Sequence, residues 1–544
     1  MSVIAREGKK LSLSGKFSRL ATRLRDPEWR RYGGLLIGGK LLGIGVVLLF
    51  ITVVSGLFFA HVYAQTAAPE VKASDVVNPV NTAWTLIAAF LVFGMQVGFT
   101  MLEAGFCRSR ETVNVLVECV VDTCLCGILF YAVGFAFMFA HGNGFIGYHW
   151  FFLQGAPATY ETTGVAFLAV WLFQFAFADT CSTITSGAMI GRTGFFGDLL
   201  YSVAVSGFIY PIIGHWTWGP DGFLATMGTK DTFLPWVGTG FHDFAGSTVV
   251  HSIGGFIALA GAIVLGPRLG RRFKRDGGGP MLPHDLTIAA SGGLLLWFGW
   301  YGFNPGSTLS AMDFEGIGRV ATNTTLAACA AGLTAMAYAY LGSKKWDVGF
   351  TVNGFLAGLV AITCPCYWVS ATGSILLGGV AGVLVVLGVE LLEWLRIDDP
   401  IGAVPVHGLC GIWGTLSLGL FATGAYGSPT PTGADTSSVV TGLFYGGGTF
   451  QLVRQAIGSG ATVVATLIVS LVMMFALKKV GVLRVSKAGE LEGLDLHEHG
   501  ASAYPEYELA SVSVPLSDQN GRLDGHKLDA APELENIPVA NSGD

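Results

Sequence analysis

The sequence predicts an all-α polytopic membrane protein. Eleven transmembrane helices are expected, with a five-plus-five inverted repeat, preceded by a signal peptide or an extra helix. Three observations lead there. Of 544 residues, 52% are hydrophobic and only 12% charged, against about 25% charged in soluble proteins, and the mean hydropathy is +0.58. The apolar residues gather into segments near the roughly 20 residues that span a bilayer. Two of those segments carry matching strings around a histidine, DFAGSTVVHSIGG at 243–255 and DPIGAVPVHGLCG at 399–411. In each, an aspartate lies eight residues before the histidine and a glycine four after it.

Residues 1–42 are basic, from Arg6 to Lys40, and an apolar run covers 43–60. Val62, Tyr63 and Ala64 before Gln65 give the small-residue pattern of a signal-peptidase site. The basic stretch is long for a signal peptide, so an uncleaved helix stays open; the leader is taken as 1–64. Apolar segments then lie near 80–106, 113–140, 164–191, 195–218, 241–266, 286–306, 315–342, 346–368, 371–395, 400–424 and 455–482. They divide into a first repeat (78–266), a basic linker (267–285), a second repeat (286–424), an eleventh helix (454–483) and an acidic tail (484–544). The tail has no hydrophobic run long enough for a kinase or cyclase domain. Its first part, 493–504, reads as ordered and the rest as disordered.

Charges orient the segments. Arg108 and Arg110, Arg192, the run Arg268 to Arg275, Lys344 and Lys345, Arg396, and Lys478 to Lys487 follow alternate segments; the other connections carry little beyond Lys230 and Arg454. By the positive-inside rule the odd-numbered connections are cytoplasmic. The mature N-terminus is then outside, the C-terminus cytoplasmic, and the membrane a bacterial inner membrane. Five helices per unit give the units opposite topology, an arrangement that places a transporter's site near the midplane.

His251 and His407 fall on segments five and ten. An ionisable side chain inside a bilayer is costly and usually functional, although a single buried histidine is commonly a satisfied core residue. The shared offsets favour function. A low-dielectric surrounding disfavours the charged ring, so both are expected neutral, able to share one ring proton and to meet a small weak base. Asp243 and Asp399 start their helices, and plain capping explains both; Asp243 is also placed to add negative potential for a cation. Aromatic residues cluster at WLFQFAF (171–177), HWTW (215–218) and WFGWYGFNPGS (297–307). Most fit an interfacial belt, yet aromatic faces attract cations by up to about 2 kcal/mol when desolvated, and the Ser307 hydroxyl can accept from an ammonium N–H. The pairs Cys124/Cys126 and Cys364/Cys366 lack a histidine at metal-ligand spacing and read as packing. No metal or cofactor is expected.

These strings resemble the Amt/Mep/Rh ammonium transporter family over roughly residues 78–500. DFAGSTVVH (243–251) is close to the family's signature. MLEAGF (101–106), the run from Asp398 to His407, WYGFNPGS (300–307) and SGA (186–188) are similar to its other hallmarks. The resemblance implies that Trp218, Ser307 and Phe177 form an external cation-recruitment site, that Phe177 and Phe303 stack as a gate, and that His251 and His407 line the pore. It makes Asp243 the essential acid below the recruitment site. It further implies a non-enzymatic homotrimer with one pore per subunit, ammonium or ammonia as substrate with methylammonium as analogue, no nucleic-acid partner, and a PII-class regulatory protein at the cytoplasmic face.

Four departures from the pattern stand out. Gly191 replaces an acidic residue before Arg192. Asp179 replaces a small apolar residue and should point away from the Phe177 face. About twenty residues separate Trp218 from Asp243. Gly402 and Ala403 occupy a stretch that is acidic in some members. The expected cycle is recruitment of ammonium, deprotonation near the phenylalanine gate and passage of ammonia along the histidines, with or without its proton. Potassium and sodium have no proton to shed and would be rejected. Two other readings remain: a Rh-like neutral-gas channel, disfavoured by the retained Trp218 and Ser307, and an ammonium sensor acting through a partner.

Overall fold

The computed structural model describes residues 72–227 and 240–505, with Pro27 alone before them. The expected leader at 1–64, most of the connection between Trp218 and Asp243, and the last part of the tail lie outside the described residues. What is described is a helical bundle. In chain order its apolar helices are α1 (Ala73–Phe106), α2 (Ser109–Phe139), α3 (Phe167–Gly187), α4 (Phe195–Trp218), α5 (Ser247–Leu265), α6 (Leu286–Thr308), α7 (Phe314–Ser343), α8 (Val348–Thr363), α9 (Ala371–Leu395), α10 (Val404–Phe421) and α11 (Phe450–Lys479). All but α8 are long and apolar enough to cross a membrane.

Helix α8 has 16 residues and stops before the 368 expected from hydropathy. Two features end it: Pro365 brings no N–H to continue the ladder, and the Ser247 hydroxyl is inserted at this turn, donating to the Val360 carbonyl at 2.7 Å. Its oxygen accepts from the Cys364 N–H at 2.7 Å in place of that carbonyl, which pins the end of α8 to the start of α5.

Two pairs of helices that correspond in the two repeats meet each other, α1 with α6 and α5 with α10. Helices α1 and α6 pack through small residues, where a side chain on Gly105 or Gly292 would overlap the partner backbone; small residues allow this approach in lipid. Helices α5 and α10 meet the same way. A Cβ on Gly255 would overlap the Gly408 backbone nitrogen, and one on Gly411 would collide with Ser252 and the Ser247 carbonyl. These are the glycines four residues after each histidine. Their role is to let the two histidine helices touch.

The basic connections converge on one end of the bundle. Arg192 is buried and donates to the carbonyls of Gly266, Ile190 and Asp398. Arg268 clamps Asp398 through Nε and Nη2, both at 2.9 Å, and Arg271 joins Asp398 to Glu393. Burial by itself would raise the Asp398 carboxyl; the bonds and charge of Arg268, with Arg192 behind it, overcome that and hold it far below the usual carboxylate range. Two short helices, α12 (Lys487–Glu492) and α13 (Leu494–His499), dock at the same end. Glu490 accepts from Arg484, and Asp495 accepts from the Asn114 N–H at 2.9 Å. Tyr504 meets His284 at 2.9 Å.

Candidate functional site

Each histidine sits in a π-helical turn that opens its helix, Ser247–Ser252 in α5 and Val404–Leu409 in α10. π-turns often mark functional positions. Both turns are set by the aspartate of the repeated string. Asp243 accepts four backbone N–H bonds: Oδ1 from Gly246 and Ser247, Oδ2 from Thr248 and Val249, at 2.9 to 3.1 Å. Asp399 accepts three, from Gly402, Ala403 and Val404, at 2.8 to 3.1 Å. The glycine three residues after each aspartate is left-handed, Gly246 at φ +108° and Gly402 at φ +80°, a conformation that favours glycine. Capping therefore accounts for both aspartates. Position 243 has a second connection, since its backbone carbonyl accepts from Trp218 Nε1 at 2.8 Å, so the turn that the carboxylate caps also holds the indole.

The expected site residues come together. Phe177 from α3 and Phe303 from α6 stack with centroids 3.9 Å apart and planes 23° apart. Trp218 meets Phe177 edge to face at 6.0 Å. Above the stack lies a cavity of about 190 Å³ lined by Phe177, Trp218, Ser307, Gln174 and Phe244 among others. Ser307 donates its hydroxyl hydrogen to the Phe303 carbonyl at 2.8 Å, so its oxygen lone pairs are left to accept. Below the stack, His251 lies parallel to Phe303 at 5.5 Å and to Trp300 at 5.2 Å. His251 Nδ1 and His407 Nδ1 are 3.2 Å apart. A bond between two neutral rings needs one N–H and one bare nitrogen. Each ring then keeps one free nitrogen, a donor on one ring and an acceptor on the other. His251 is fully buried, and its Nε2 has no partner among the described residues.

Two neighbours were not singled out from sequence. Gln174 lines the cavity with a buried Oε1 that no described group engages; its position three before Phe177, on one helix face, was the available signal. Trp300, fully buried, forms the far wall against His251 and lies three before Phe303. Asp179 does point away from the gate. Its Oδ2 accepts from Thr123 on α2 at 3.2 Å. Among the described residues no group of three or more histidine, cysteine or acidic side chains is placed to hold a metal ion. Cys126, Cys364 and Cys366 are buried in the packing, and Cys124 is exposed.

The sequence profile described as the Ammonium Transporter Family matches residues 83–504. This chain belongs to the ammonium transporter family. It is 42% identical to ammonium transporter Amt2 of Archaeoglobus fulgidus over 89% of this chain and 99% of that protein. It is 37% identical to ammonium transporter 1 member 3 of Solanum lycopersicum, over 79% and 94%. Among solved structures, a sensor Amt protein matches with TM-score 0.67 and 34% identity, covering 78% of this chain and 99% of that one. Mep2 of Candida albicans matches with TM-score 0.67 and 27% identity, over 78% and 90%.

Two departures from the family pattern now have a physical account. The acidic residue missing at Gly191 is replaced in space: the Glu111 carboxylate stands 2.6 Å from where a Gly191 Cβ would be, held by Arg108. The missing acid near Gly402 leaves no gap in charge, since Asp398 already gathers Arg268 and Arg271.

Proposed function

We propose that this protein is an ammonium transporter which recruits the cation at Trp218, Phe177 and Ser307, strips its proton near the Phe177/Phe303 gate and passes ammonia along His251 and His407. The observation that carries this reading is the order of parts: an aromatic cavity with free acceptor oxygens, a closed aromatic stack, and a pair of hydrogen-bonded imidazole rings. The cavity attracts a cation through the indole and phenyl faces, and Ser307 and Gln174 accept its N–H groups. The gate and histidine chamber offer no carboxylate, and a charge at the bilayer centre costs at least about 2.5–3.5 kcal/mol. Loss of the proton removes that cost. Ammonia then finds a ring donor for its lone pair and a ring acceptor for its hydrogens. Potassium and sodium cannot take this route.

The end bearing Arg192, Arg268 and Lys478 is the cytoplasmic face by the positive-inside rule, which puts Trp218 outside in a bacterial inner membrane and the C-terminus inside. The chain divides into repeats at 78–266 and 286–424 about the linker 267–285, with the eleventh helix at 454–483 and the tail at 484–544. We place one pore in each subunit of a homotrimer. On the cytoplasmic end a cleft of about 450 Å³, lined by Arg268, Arg271, Lys274, Asp398 and Trp346 among others, suits an inserted loop of a PII-class regulator.

Solid-supported membrane electrophysiology on proteoliposomes tests the transport reading. Ammonium pulses should evoke currents, potassium pulses none, and Asp243→Ala should lose the response. Absence of both current and methylammonium uptake in a wild-type protein that still binds ammonium would contradict transport and favour a sensor.

A further inference from the structure

A third buried histidine stands beside the pore and takes no part in it. His215 lies one turn before Trp218 in the last turn of α4 and is fully buried. Its ring sits between two backbone carbonyls. Nδ1 is 2.9 Å from the Met138 oxygen at the end of α2, and Nε2 is 2.8 Å from the Asn143 oxygen in the short hairpin that follows. A carbonyl oxygen only accepts, and a neutral imidazole donates from one nitrogen alone. A neutral ring would therefore set a bare nitrogen lone pair against a carbonyl lone pair at one of these distances. Turned over, the ring would present carbons to both oxygens. A ring with a hydrogen on each nitrogen satisfies both bonds.

The surroundings supply the counter-charge that such a ring needs. Asp221 Oδ1 lies 3.3 Å from Nε2 and has no hydrogen-bond partner among the described residues. Its Oδ2 accepts from the Gly142 N–H at 2.8 Å. The last turn of a helix also favours a cation. The chain after Trp218 is shaped to fold back over the ring. A Cβ on Gly219 would sit 2.2 Å from His215 Nδ1, and one on Gly222 would overlap the carbonyls of His215 and Trp216. The neighbouring charges are committed elsewhere. His141, beside the hairpin, pairs with Glu161, and the Asp243 carboxylate at the start of α5 holds backbone N–H groups.

Both ends of this contact border the cation cavity. Met138 precedes Phe139, and Trp218 follows His215 by one turn; Phe139 and Trp218 both line the cavity. Two further bonds fasten the hairpin to the end of α4. Trp216 Nε1 donates to the Phe145 carbonyl at 3.1 Å, and the Phe223 N–H donates to the Gly144 carbonyl at 2.9 Å.

We propose that His215 is a positioning residue of the recruitment cavity: its ring, protonated on both nitrogens and paired with Asp221, clasps the end of α4 to the end of α2 and so fixes Trp218 and Phe139 as two walls of the cavity. Loss of either ring proton breaks one of the two bonds and leaves Asp221 without its counter-charge, so the clasp holds only while the ring is doubly protonated. The ring touches no substrate and acts through Trp218. Its effect on recruitment rests on the ammonium reading above; the protonation of the ring does not.

The test has two readouts on purified full-length protein in lipid. Nitrogen-15 NMR of the histidine-labelled protein distinguishes a doubly protonated ring from either neutral tautomer, with no need for transport. At neutral pH the wild type should give an imidazolium signal that His215→Gln lacks and that Asp221→Asn weakens. Methylammonium uptake is the second readout. His215→Gln reaches one carbonyl at most and should raise KM by about tenfold, as expected for loss of a charged hydrogen bond, while maximal uptake falls by a smaller factor. Asp221→Asn keeps an acceptor for the Gly142 N–H, removes only the charge, and should raise KM in the same direction by less. A neutral His215 ring in the wild-type spectrum would overturn the clasp. So would a KM unchanged in the variants that remain folded by thermal unfolding; if His215→Gln does not fold, Asp221→Asn decides by both readouts. Failure of the wild type to take up any methylammonium would overturn the transport reading instead and leave the NMR result to decide the state of the ring.

Discussion

Helices α5 and α10 are near copies, whereas the helices around them are not. Both begin with an aspartate that collects backbone N–H groups, turn on a left-handed glycine, pass through a π-turn bearing a histidine, and press a glycine four residues later into the other helix. Outside that pair the halves diverge. Glu118, Asp122, Asp179 and Asp198 lie within α2, α3 and α4. The corresponding α8 has no charged residue, and α7 and α9 carry their acids only near helix ends. Symmetry is kept where the two rings meet, whereas Glu118, Asp122 and Asp179 on the first-half helices have no counterparts at the same depth of α7, α8 and α9. The shared part brings the two histidines together; the unshared part distinguishes the halves.

The strongest way to break this comparison is at the paired caps. Asp243→Ala leaves four buried N–H groups without their acceptor. At about 1 kcal/mol per lost bond the cost is about 4 kcal/mol in unfolding, and transport should fall by about 100-fold or more, equal to about 2.7 kcal/mol. Asp399→Ala loses three bonds and should cost about 3 kcal/mol by the same measurement. If the caps were not equivalent, these two losses would differ widely.

Asp398 has no acidic counterpart in the first repeat, where His242 holds the corresponding place. Asp398→Asn removes one partner from a buried ion pair with Arg268, a change that costs about 3 kcal/mol. The sign of the pH dependence follows from the lowered carboxyl. Its contribution is complete above the unfolded value near 4 and is lost only as pH falls through the lower folded value. Thermal scans should therefore show the same wild-type advantage over the variant at neutral pH and at mildly acidic pH above the unfolded value, with a decline only in stronger acid.

The glycine contact offers a milder test. Gly255→Ala and Gly411→Ala each push α5 and α10 apart, and overpacking of this kind costs about 2 kcal/mol. The histidine pair should separate in both, and methylammonium uptake should drop similarly in the two variants. The smallest effect is expected at the recruitment cavity. Ser307→Ala removes one acceptor for a cation, worth about 1.5 kcal/mol, and should raise KM for methylammonium by about tenfold with little change in maximal uptake.

Much of this was legible in the sequence. The repeated string around His251 and His407 located both histidines, both caps and both close-contact glycines, because π-turns, caps and tight helix contacts each demand a residue type at a fixed offset. Gln174 and Trp300 were not singled out, since an amide and an indole inside an aromatic run look like belt or core until their neighbours are known. The early end of α8 comes from Pro365 and from a hydroxyl contributed by α5, which hydropathy does not register. Glu111 standing in for an acid at Gly191 is a contact between distant segments, which no local pattern records.

The central claim is that a bonded pair of neutral histidines conducts ammonia released from ammonium. Methylammonium uptake into proteoliposomes by His251→Ala, with His407 intact, tests it most directly. The account predicts saturable uptake by the wild type and its loss in the folded variant. Uptake by the variant at the wild-type rate would contradict it.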